Sequence, residues 1–439
     1  MVPVRARATF SARRPTWAGP VVVAGLAAAI LIRLILLPTD GFRDDLDQFV
    51  GWVRDIGRAP FGQAYRLDLS FPPVMAYLFA LMGGILGLAG HAVDAGDPLV
   101  RAVVKLPASV ADLALALGVA FALRDRLRWA IVAGLAIALH PALIYVSAWW
   151  GQFESIYVLA GLVAVLLAGG RHPNLAAVAL GVAVMTKPQA LPFFVPFAAW
   201  AVARFGLGGA IRLAAVTAGT AAVLWVPFLA DGGVAGYARN LNHYQNEVFG
   251  VLSLRAWNVW WLLQQAAGGN FLSDSGALLG PVSVRSLAFV MTGLAEAVVF
   301  IAVYQRPTFR NLVLGIAASA LVAFSLLTTM HERYAFAALV FLALLLPEVR
   351  LRALWLVFGL AFTANLMSAV PATAGIAQLL PQNGLLSVLG ALTVLAVTLG
   401  SVWQLTHGPA ESDSLEWSDG EHPPQPASEG NPIPAQVVR

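Results

Sequence analysis

The stretch PVVVAGLAAAILIRLILL, residues 20–37, is followed closely by GFRDDLDQFVGW, residues 41–52. The first stretch is long enough to cross a bilayer, which takes about 20 apolar residues of helix. It is also longer than the apolar core of a cleavable signal peptide, so we expect an uncleaved signal anchor. The second stretch carries Asp44, Asp45 and Asp47 where the chain first leaves the membrane. Carboxylates at a membrane edge are expected to be solvated or functional.

The composition predicts an all-α polytopic membrane protein. Hydrophobic residues make up 59% of the 439 residues and charged residues 11%, against about 25% charged residues in a soluble globular domain. Apolar runs of bilayer-spanning length recur along the chain, and helices are the usual way to satisfy the backbone inside lipid. The chain has no cysteine, so it forms no disulfide and has no thiol chemistry.

Basic turns predict the topology, because cytoplasmic loops are enriched in Lys and Arg. The N-terminal segment carries Arg5, Arg7, Arg13 and Arg14. The later basic turns include Arg124, Arg126, Arg128, Arg171, Arg204, Arg212, Arg306, Arg310, Arg350 and Arg352. If all of these are cytoplasmic, the Asp44–Asp47 cluster is extracytoplasmic.

The first external segment contains one apolar run too many. The chain must pass from the external carboxylates to the cytoplasmic basic turn at 124–128, which takes an odd number of membrane crossings. Two apolar runs, 72–90 and 103–123, lie between them. We therefore expect 72–90 to form an external interfacial or re-entrant helix. The alternative is that it crosses and the basic turn at 124–128 is external. The first interpretation gives about 12 transmembrane helices and external loops at 40–101 and 230–282.

A membrane domain is expected to occupy residues 1–408, and both termini are expected to be cytoplasmic. Residues 409–439 contain Glu411, Asp413, Glu416, Asp419, Glu421 and Glu429, but Arg439 is their only Lys or Arg. This Pro- and Ser-rich acidic composition is typical of a disordered tail. The basic excess of the rest of the chain sets membrane orientation, and it does not indicate nucleic-acid binding.

Two polar motifs are candidates for binding an anion. His331-Glu332-Arg333-Tyr334 follows an apolar span, and Arg and His side chains suit phosphate oxygens. The alternative is an interfacial cap, with Tyr334 in the aromatic belt. Lys187-Pro188-Gln189 predicts a helix break at membrane depth, which is tolerated where it lines a cavity. The alternative for Lys187 is a lysine that reaches the interface from a loop.

Other polar residues near apolar spans have structural alternatives as well. Gln152 and Glu154 flank one site if their segment is not helical, although Glu154 also suits a helix N-terminus. Lys105 and Asp112 share a face of one helix, which indicates either an internal ion pair or a packing contact. Asn258 lies in an aromatic segment that resembles an interfacial helix. No spacing of residues requires a metal, and no phosphate-binding loop, dinucleotide fingerprint or nucleophile elbow is present.

Taken together, these segments resemble the bacterial relatives of the GPI mannosyltransferases, within the glycosyltransferase-C superfamily. The matching blocks are Asp45-Leu46-Asp47-Gln48-Phe49 with Trp52, Phe71-Pro72-Pro73, Lys105-Leu106-Pro107 with Asp112, His140-Pro141-Ala142, Trp150-Gly151-Gln152-Phe153-Glu154-Ser155, Thr186-Lys187-Pro188-Gln189-Ala190, Trp257-Asn258-Val259-Trp260 and His331-Glu332-Arg333-Tyr334. They occur in family order. Glu154 stands where relatives often have Asp, and Arg255 stands where they often have Asn.

The resemblance implies a multipass enzyme of the bacterial plasma membrane. Such enzymes move a sugar, here most simply mannose, from a polyprenyl-phosphate donor to a glycolipid or lipoglycan acceptor. They act on the extracytoplasmic face and invert the anomeric centre. Asp45 corresponds best to the catalytic carboxylate, with Asp44 or Asp47 as the alternatives.

The remaining roles follow from this chemistry. Lys187, His331 and Arg333 are expected to bind the donor phosphate. The residues expected to contact substrate are Lys105, Gln152, Glu154, Gln189, Asn258, Glu332 and Tyr334. No cofactor is required. A divalent cation that bridges carboxylates and phosphate is compatible with these residues, but nothing in the sequence calls for one.

Two other classes of protein are consistent with this sequence. A transporter or flippase for a lipid-linked or anionic solute would also contain broken helices and buried charges, although the chain has no visible internal repeat. A non-catalytic scaffold for cell-wall assembly would not bring the polar residues together.

Overall fold

The computed structural model describes residues 18–279 and 282–408. Within these residues the helices are α1 (Ala18–Leu36), α2 (Arg43–Arg58), α3 (Pro73–Leu88), α4 (Pro98–Ala122), α5 (Leu127–Ala138), α6 (Pro141–Ile144), α7 (Glu154–Gly169), α8 (Pro173–Val184), α9 (Phe194–Leu229), α10 (Gly233–His243), α11 (Val259–Ala266), α12 (Val284–Gln305), α13 (Phe309–Leu326), α14 (Phe336–Ala343), α15 (Val349–Ala369), α16 (Ala374–Leu379) and α17 (Leu385–His407). The strands are β1 (Ser253–Leu254), β2 (Ala277–Leu279), β3 (Val282–Ser283) and β4 (Met330–His331). Helix accounts for 76% of the structure, which fits the predicted all-α class.

Eight segments of the described residues are long and apolar enough to cross a membrane. They are Ala18–Leu36, Pro98–Ala122, Leu127–Trp150, Pro188–Leu229, Val284–Gln305, Phe309–Leu326, Val349–Ala369 and Leu385–His407. The apolar helices α3, α7 and α8 are shorter, with 16, 16 and 12 residues. These helices fit a multipass membrane protein, and the total of about 12 crossings stays a prediction.

Prolines and glycines set where several helices begin and break. Pro73, Pro98 and Pro173 stand in the first turns of α3, α4 and α8, where the missing N–H donor of proline costs little. After α8 the chain leaves the helix and continues through a 3₁₀ turn that begins at Pro188. The helix break predicted at Lys187 and Pro188 is therefore confirmed.

A glycine reverses the direction of α9. Gly206 has φ 68° and ψ 178°, which divides the helix into residues 194–205 and 207–229. Phe197 from the first part and Leu213 from the second both line one small cavity against α8. The two parts of α9 therefore pack on the same neighbour, and the chain turns back at Gly206.

Two long segments between the membrane helices fold into short elements. The first, between α1 and α4, contains α2, the 3₁₀ turn Phe61–Arg66 and α3. The second, between α9 and α12, contains α10, α11, β1, β2 and β3. These correspond in position to the expected external loops 40–101 and 230–282. The expectation that 72–90 does not cross the membrane stays a prediction.

The two most buried helices anchor the motif His331–Tyr334. Every residue of α14 is buried, and α13 is buried from Arg310 to Ser325. The motif lies in the turn that joins these helices. In addition, β4 pairs in parallel with β1, so that Leu254 lies opposite His331. The turn is thus fixed by the core on both sides and by a strand from the second long segment.

Two terminal predictions fall outside the described residues. The basic N-terminal residues Arg5, Arg7, Arg13 and Arg14 precede residue 18, and the acidic tail 409–439 follows residue 408. Topology and tail therefore stay predictions.

Close backbone contact between α2 and α3 depends on glycine. A Cβ atom placed on Gly83 would lie 2.5 Å from the Val53 carbonyl oxygen and 2.9 Å from Gly57 Cα. Both are backbone atoms, so neither helix can relieve the clash by a side-chain movement. A Cβ atom on the adjacent Gly84 would meet nothing within 4 Å.

We expect Gly83→Ala to lower the free energy of unfolding by about 1–3 kcal/mol, because overpacking pushes the two helices apart. The matched variant Gly84→Ala should be neutral or stabilising by up to about 1 kcal/mol, because alanine favours helix. Thermal unfolding of both variants in the same detergent measures this difference. Equal midpoints for the two variants would refute the close contact of α2 and α3.

Candidate functional site

Asp45 lies in the first turn of α2 and is held by the segment that precedes α7. Trp150 Nε1 donates to Asp45 Oδ2 over 2.8 Å, and Gln152 Nε2 donates to the same oxygen over 2.5 Å. Asp45 is half-buried, whereas Asp44 and Asp47 are exposed. The fold therefore distinguishes Asp45 from the two neighbouring carboxylates that the sequence could not exclude.

A tight turn delivers Asp45 to this position. Gly41 has φ +59°, and a Cβ atom there would lie 2.2 Å from the Trp149 carbonyl oxygen. Only glycine adopts this conformation without strain at such a close approach. Lys105, from α4, is fully buried beneath the turn and donates from Nζ to the Thr39 carbonyl oxygen over 2.7 Å.

The segment between α6 and α7 is not a regular α-helix. It forms a π-helical turn, Tyr145–Trp150, which ends at Gly151 with φ 94° before α7 begins at Glu154. Such π-turns often occur at functional sites. The segment was expected to be irregular, and its side chains reach the same cluster: Gln152 contacts Asp45, and Glu154 contacts Lys187.

Lys187 meets this segment from the break between α8 and α9. Its Nζ lies 2.7 Å from Glu154 Oε1 and 3.5 Å from Gln152 Oε1. The side chains of Lys187 and Glu154 are only 3% and 0% exposed, so this is a buried ion pair. Nζ also lies 5.3 Å from the centre of the Phe71 ring, within the range of a cation–π contact.

Arg333 approaches Glu154 from the α13–α14 turn. Its Nε lies 3.2 Å from Glu154 Oε1, and its Nη1 lies 3.0 Å from Glu332 Oε1. The guanidinium carbon is 5.3 Å from the Trp150 ring and 5.6 Å from the Tyr334 ring. One carboxylate oxygen of Glu154 is thus shared by Lys187 and Arg333.

The charges at the site shift the pKa values of its basic groups in opposite directions. Burial acts to lower the pKa of Arg333, but the charges of Asp45, Glu332 and Glu154 outweigh it and raise that pKa above its ordinary value. Burial lowers the pKa of Lys187, and Arg333 adds to this effect while Glu154 opposes it. Arg333 is therefore the permanent cation of the pair, and Lys187 depends on nearby negative charge to stay protonated.

His331 is held neutral. Burial lowers its pKa well below the ordinary value, and the positive charges of Arg333 and Lys187 act in the same direction. Its Nδ1 lies 3.3 Å from Arg333 Nη1, and its ring packs 4.9 Å from Phe249 and 5.1 Å from Tyr334. Toward a phosphate oxygen, a neutral His331 would act as an N–H donor.

Three further predicted residues complete the cluster. Burial raises the pKa of Glu332 and of Tyr334, the latter to about 12. Gln189 lies beside Tyr334 and acts to lower the pKa of that residue. Gln189 Oε1 and Glu154 Oε2 are buried and have no hydrogen-bond partner among the described residues. Buried polar atoms are rarely left unpaired, so the cluster retains capacity for a polar ligand.

Two predicted substrate-binding residues make hydrogen bonds within the protein, and their role toward substrate stays a prediction. Lys105 supports the turn before Asp45, as described above. Asn258 caps α11: its Nδ2 donates to the Phe324 carbonyl oxygen over 3.1 Å, and its Oδ1 accepts from the Trp261 N–H over 2.9 Å. The structure therefore brings Asp45, Gln152, Glu154, Lys187, Gln189, His331, Glu332, Arg333 and Tyr334 together. It does not place Asp44, Asp47, Lys105 or Asn258 in direct contact with that cluster.

Sequence analysis assigned no role to Trp150, although this residue begins one of the blocks that carry the resemblance. Its indole both donates to Asp45 and faces Arg333. Its place in that block, two residues before Gln152, is the sequence signal that could have identified it. Asp112 was expected to form an ion pair or a packing contact on the Lys105 face of α4, and it pairs instead with Arg33 of α1.

Among residues 18–279 and 282–408, no group of three or more His, Cys, Asp or Glu side chains has the arrangement of a metal site. The carboxylates of the cluster are each engaged by nitrogen donors or cations. The suggestion of a divalent cation stays untested.

Comparison with known families adds no identification. The chain matches no protein-family model, and a search of curated proteins finds no match.

We expect Glu154→Gln to lower the free energy of unfolding by about 3–5 kcal/mol, because it leaves buried Lys187 without its carboxylate. The double variant Glu154→Gln, Lys187→Met should be more stable than Glu154→Gln alone, because it removes the unpaired cation. Chemical denaturation in detergent micelles measures both.

The control is Asp47→Asn, which breaks a largely exposed pair with Arg43 at 3.1 Å and should change stability little. The single variant Lys187→Met is measured as well. If the double variant loses as much unfolding free energy as the two single variants together, Glu154 and Lys187 are not coupled.

Proposed function

We propose that this protein is an integral membrane glycosyltransferase related to the glycosyltransferase-C superfamily. It moves a sugar, mannose by family resemblance, from a polyprenyl-phosphate donor to a glycolipid or lipoglycan acceptor. The reaction takes place on the extracytoplasmic face of a bacterial plasma membrane and inverts the anomeric centre. One observation carries the proposal: the half-buried carboxylate of Asp45 lies in the same cluster as two cations, the buried Lys187 and the partly buried Arg333.

The reaction needs a base and a counterion for the leaving group. Asp45 accepts the proton of an acceptor hydroxyl, whose oxygen forms a bond to the anomeric carbon. The bond from that carbon to the phosphate oxygen breaks, and polyprenyl phosphate leaves with one additional negative charge. Lys187 and Arg333 stabilise this developing charge, and His331 donates a neutral N–H. Attack and departure on opposite faces of the sugar give inversion.

The charge balance of the cluster favours exchange of one anion for another. Glu154 is the shared counterion of Lys187 and Arg333. A donor phosphate that approaches these cations takes over part of that role. The added negative charge also favours protonation of Lys187, whose pKa is lowered without it. The attraction between the cations and the phosphate is therefore strongest when the phosphate acquires charge. Catalysis requires interactions of this kind, which are stronger in the transition state than in the bound substrate.

An apolar groove near the cluster suits a lipid chain. It has a volume of about 390 Å³ and lies between α3, α4 and α7, where Val74, Pro107 and Ile156 line it. The Val74 N–H donates to the Met185 carbonyl oxygen over 2.9 Å, two residues before Lys187. Ile156 follows Glu154 by two residues. A lipid chain in this groove would have its phosphate end close to Lys187.

We also propose that the chain crosses the membrane about 12 times. The run Pro188–Leu229 has 42 residues, which as helix spans about 63 Å, or twice a bilayer core of about 30 Å. The reversal at Gly206 makes it two crossings. If the apolar segments that contain α7, α8 and α14 also cross, the eight candidate spans become twelve.

Asp45→Asn should abolish sugar transfer, because the amide cannot accept the acceptor proton, while Asp44→Asn keeps most of the activity. The assay uses purified protein in liposomes with a panel of radiolabelled polyprenyl-phosphate sugars and membrane-lipid acceptors. Size-exclusion elution and thermal unfolding of each variant serve as folding controls. Full activity in Asp45→Asn would remove Asp45 as the base.

The same liposomes separate transfer from transport. A transferase forms a labelled acceptor product, whereas a flippase moves the unchanged donor between leaflets. Movement of intact donor without product, for every sugar in the panel, would replace this proposal by the transporter class.

A further inference from the structure

A second buried polar cluster surrounds Asp112 of α4. Arg33 of α1 donates from Nη2 to Asp112 Oδ2 over 2.9 Å, with side chains 3% and 0% exposed. Arg33 Nη1 also donates to the Ala138 carbonyl oxygen at the end of α5, over 2.7 Å. One ion pair therefore fixes α1, α4 and α5 relative to one another.

Two serine hydroxyls complete the Asp112 cluster. Ser147 donates to Asp112 Oδ2 and Ser155 donates to Asp112 Oδ1. Ser147 lies in the π-helical turn, and Ser155 is the second residue of α7. Both oxygens of one carboxylate are thus engaged by the two ends of residues 147–155.

The residues between these two serines make the contacts of the candidate site. Trp150 and Gln152 donate to Asp45, and Glu154 pairs with Lys187 and Arg333. Within the described residues, Asp112 itself makes none of these contacts. It is hydrogen-bonded to both ends of the segment instead.

The ion pair and hydrogen bonds of Asp112 hold the segment 147–155 firmly. A buried carboxylate needs hydrogen bonds to its oxygens and a positive partner, and Asp112 has both. Among the described residues, the hydroxyl of Ser155 bonds only this carboxylate, and Ser147 shares its one hydroxyl hydrogen between the carboxylate and the Leu143 carbonyl oxygen. A segment held at both ends by one fixed carboxylate has few alternative conformations, so the Trp150 and Gln152 donors stay directed at Asp45.

We infer that Asp112 is a positioning residue, which acts through Ser147 and Ser155 to hold Trp150, Gln152 and Glu154 in the geometry of the candidate site. The role in catalysis rests on the proposed function, whereas the role in positioning does not. Lys105, two turns earlier on α4, supports the turn before Asp45. One helix therefore supports both sides of the site.

The test uses Ser147→Ala, Ser155→Ala together, because this variant keeps the Arg33–Asp112 ion pair and so avoids an unpaired buried charge. The matched control is Ser109→Ala. Ser109 is also buried on α4, but its hydroxyl has no hydrogen-bond partner among the described residues. Ser109→Ala therefore removes a buried hydroxyl oxygen, as the serine variants do, but it breaks no hydrogen bond to Asp112.

The first readout does not depend on any activity. The indole ¹⁵N–¹H resonance of Trp150, assigned by its loss in Trp150→Phe, reports the hydrogen bond to Asp45. We expect this resonance to shift or broaden in the double serine variant and to stay unchanged in Ser109→Ala. An unchanged resonance in the double serine variant would overturn the inference.

The second readout is sugar transfer in the liposome assay. Misplaced catalytic groups lower kcat by up to about 100-fold, so we expect that loss with little change in KM for the donor. Trp150→Phe should add little further loss in the double serine background. If the fold-losses in kcat of Trp150→Phe and of the double serine variant multiply when the changes are combined, Asp112 does not act on catalysis through Trp150. If wild-type protein transfers no sugar, the proposed function fails, and the indole resonance still decides the positioning claim.

Discussion

The carboxylate of Glu154 is a counterion shared by two cations that come from distant parts of the chain. Lys187 reaches it from the break between α8 and α9, and Arg333 reaches it from the turn between α13 and α14. A charge buried in an apolar protein is stable only when it is paired, so these three elements must meet. Trp150 and Gln152 belong to the same short segment as Glu154, and they hold Asp45. The buried carboxylate of Glu154 therefore brings the elements of the cluster together.

Local chemistry made part of this arrangement predictable. The helix break at Pro188 follows from the missing N–H of proline, and the irregular segment around Gln152 and Glu154 permits both side chains to reach one place. The choice of Asp45 over Asp44 depended on the family resemblance, since all three carboxylates share one turn. Contacts between remote residues were not predictable. The Arg33–Asp112 pair spans 79 positions, and Lys105 shares a helix face with Asp112 yet bonds to Thr39 instead. The periodicity of a helix shows which residues share a face, but it does not show what that face meets.

The two buried clusters have different tasks. The cluster around Asp45 and Glu154 carries the groups that the proposed reaction needs: a carboxylate for the acceptor proton and cations for the phosphate. Among the described residues, Asp112 makes no hydrogen bond or ion pair with these groups, and it holds the segment 147–155 by both ends. We favour the proposed transferase over a scaffold, because a scaffold has no need to bury acids, amides and cations together. The proposed transfer from a lipid phosphate to a hydroxyl uses these groups.

The most direct test is a cryo-EM structure of the protein with a phosphonate analogue of a polyprenyl-phosphate sugar, in which a carbon replaces the bridging oxygen. The account predicts that phosphonate oxygens lie within hydrogen-bond distance, about 3 Å, of Lys187 and Arg333. It also predicts that Asp45 faces the anomeric carbon from the side opposite the phosphonate. A phosphonate bound away from both cations, or on the same side of the sugar as Asp45, would contradict it.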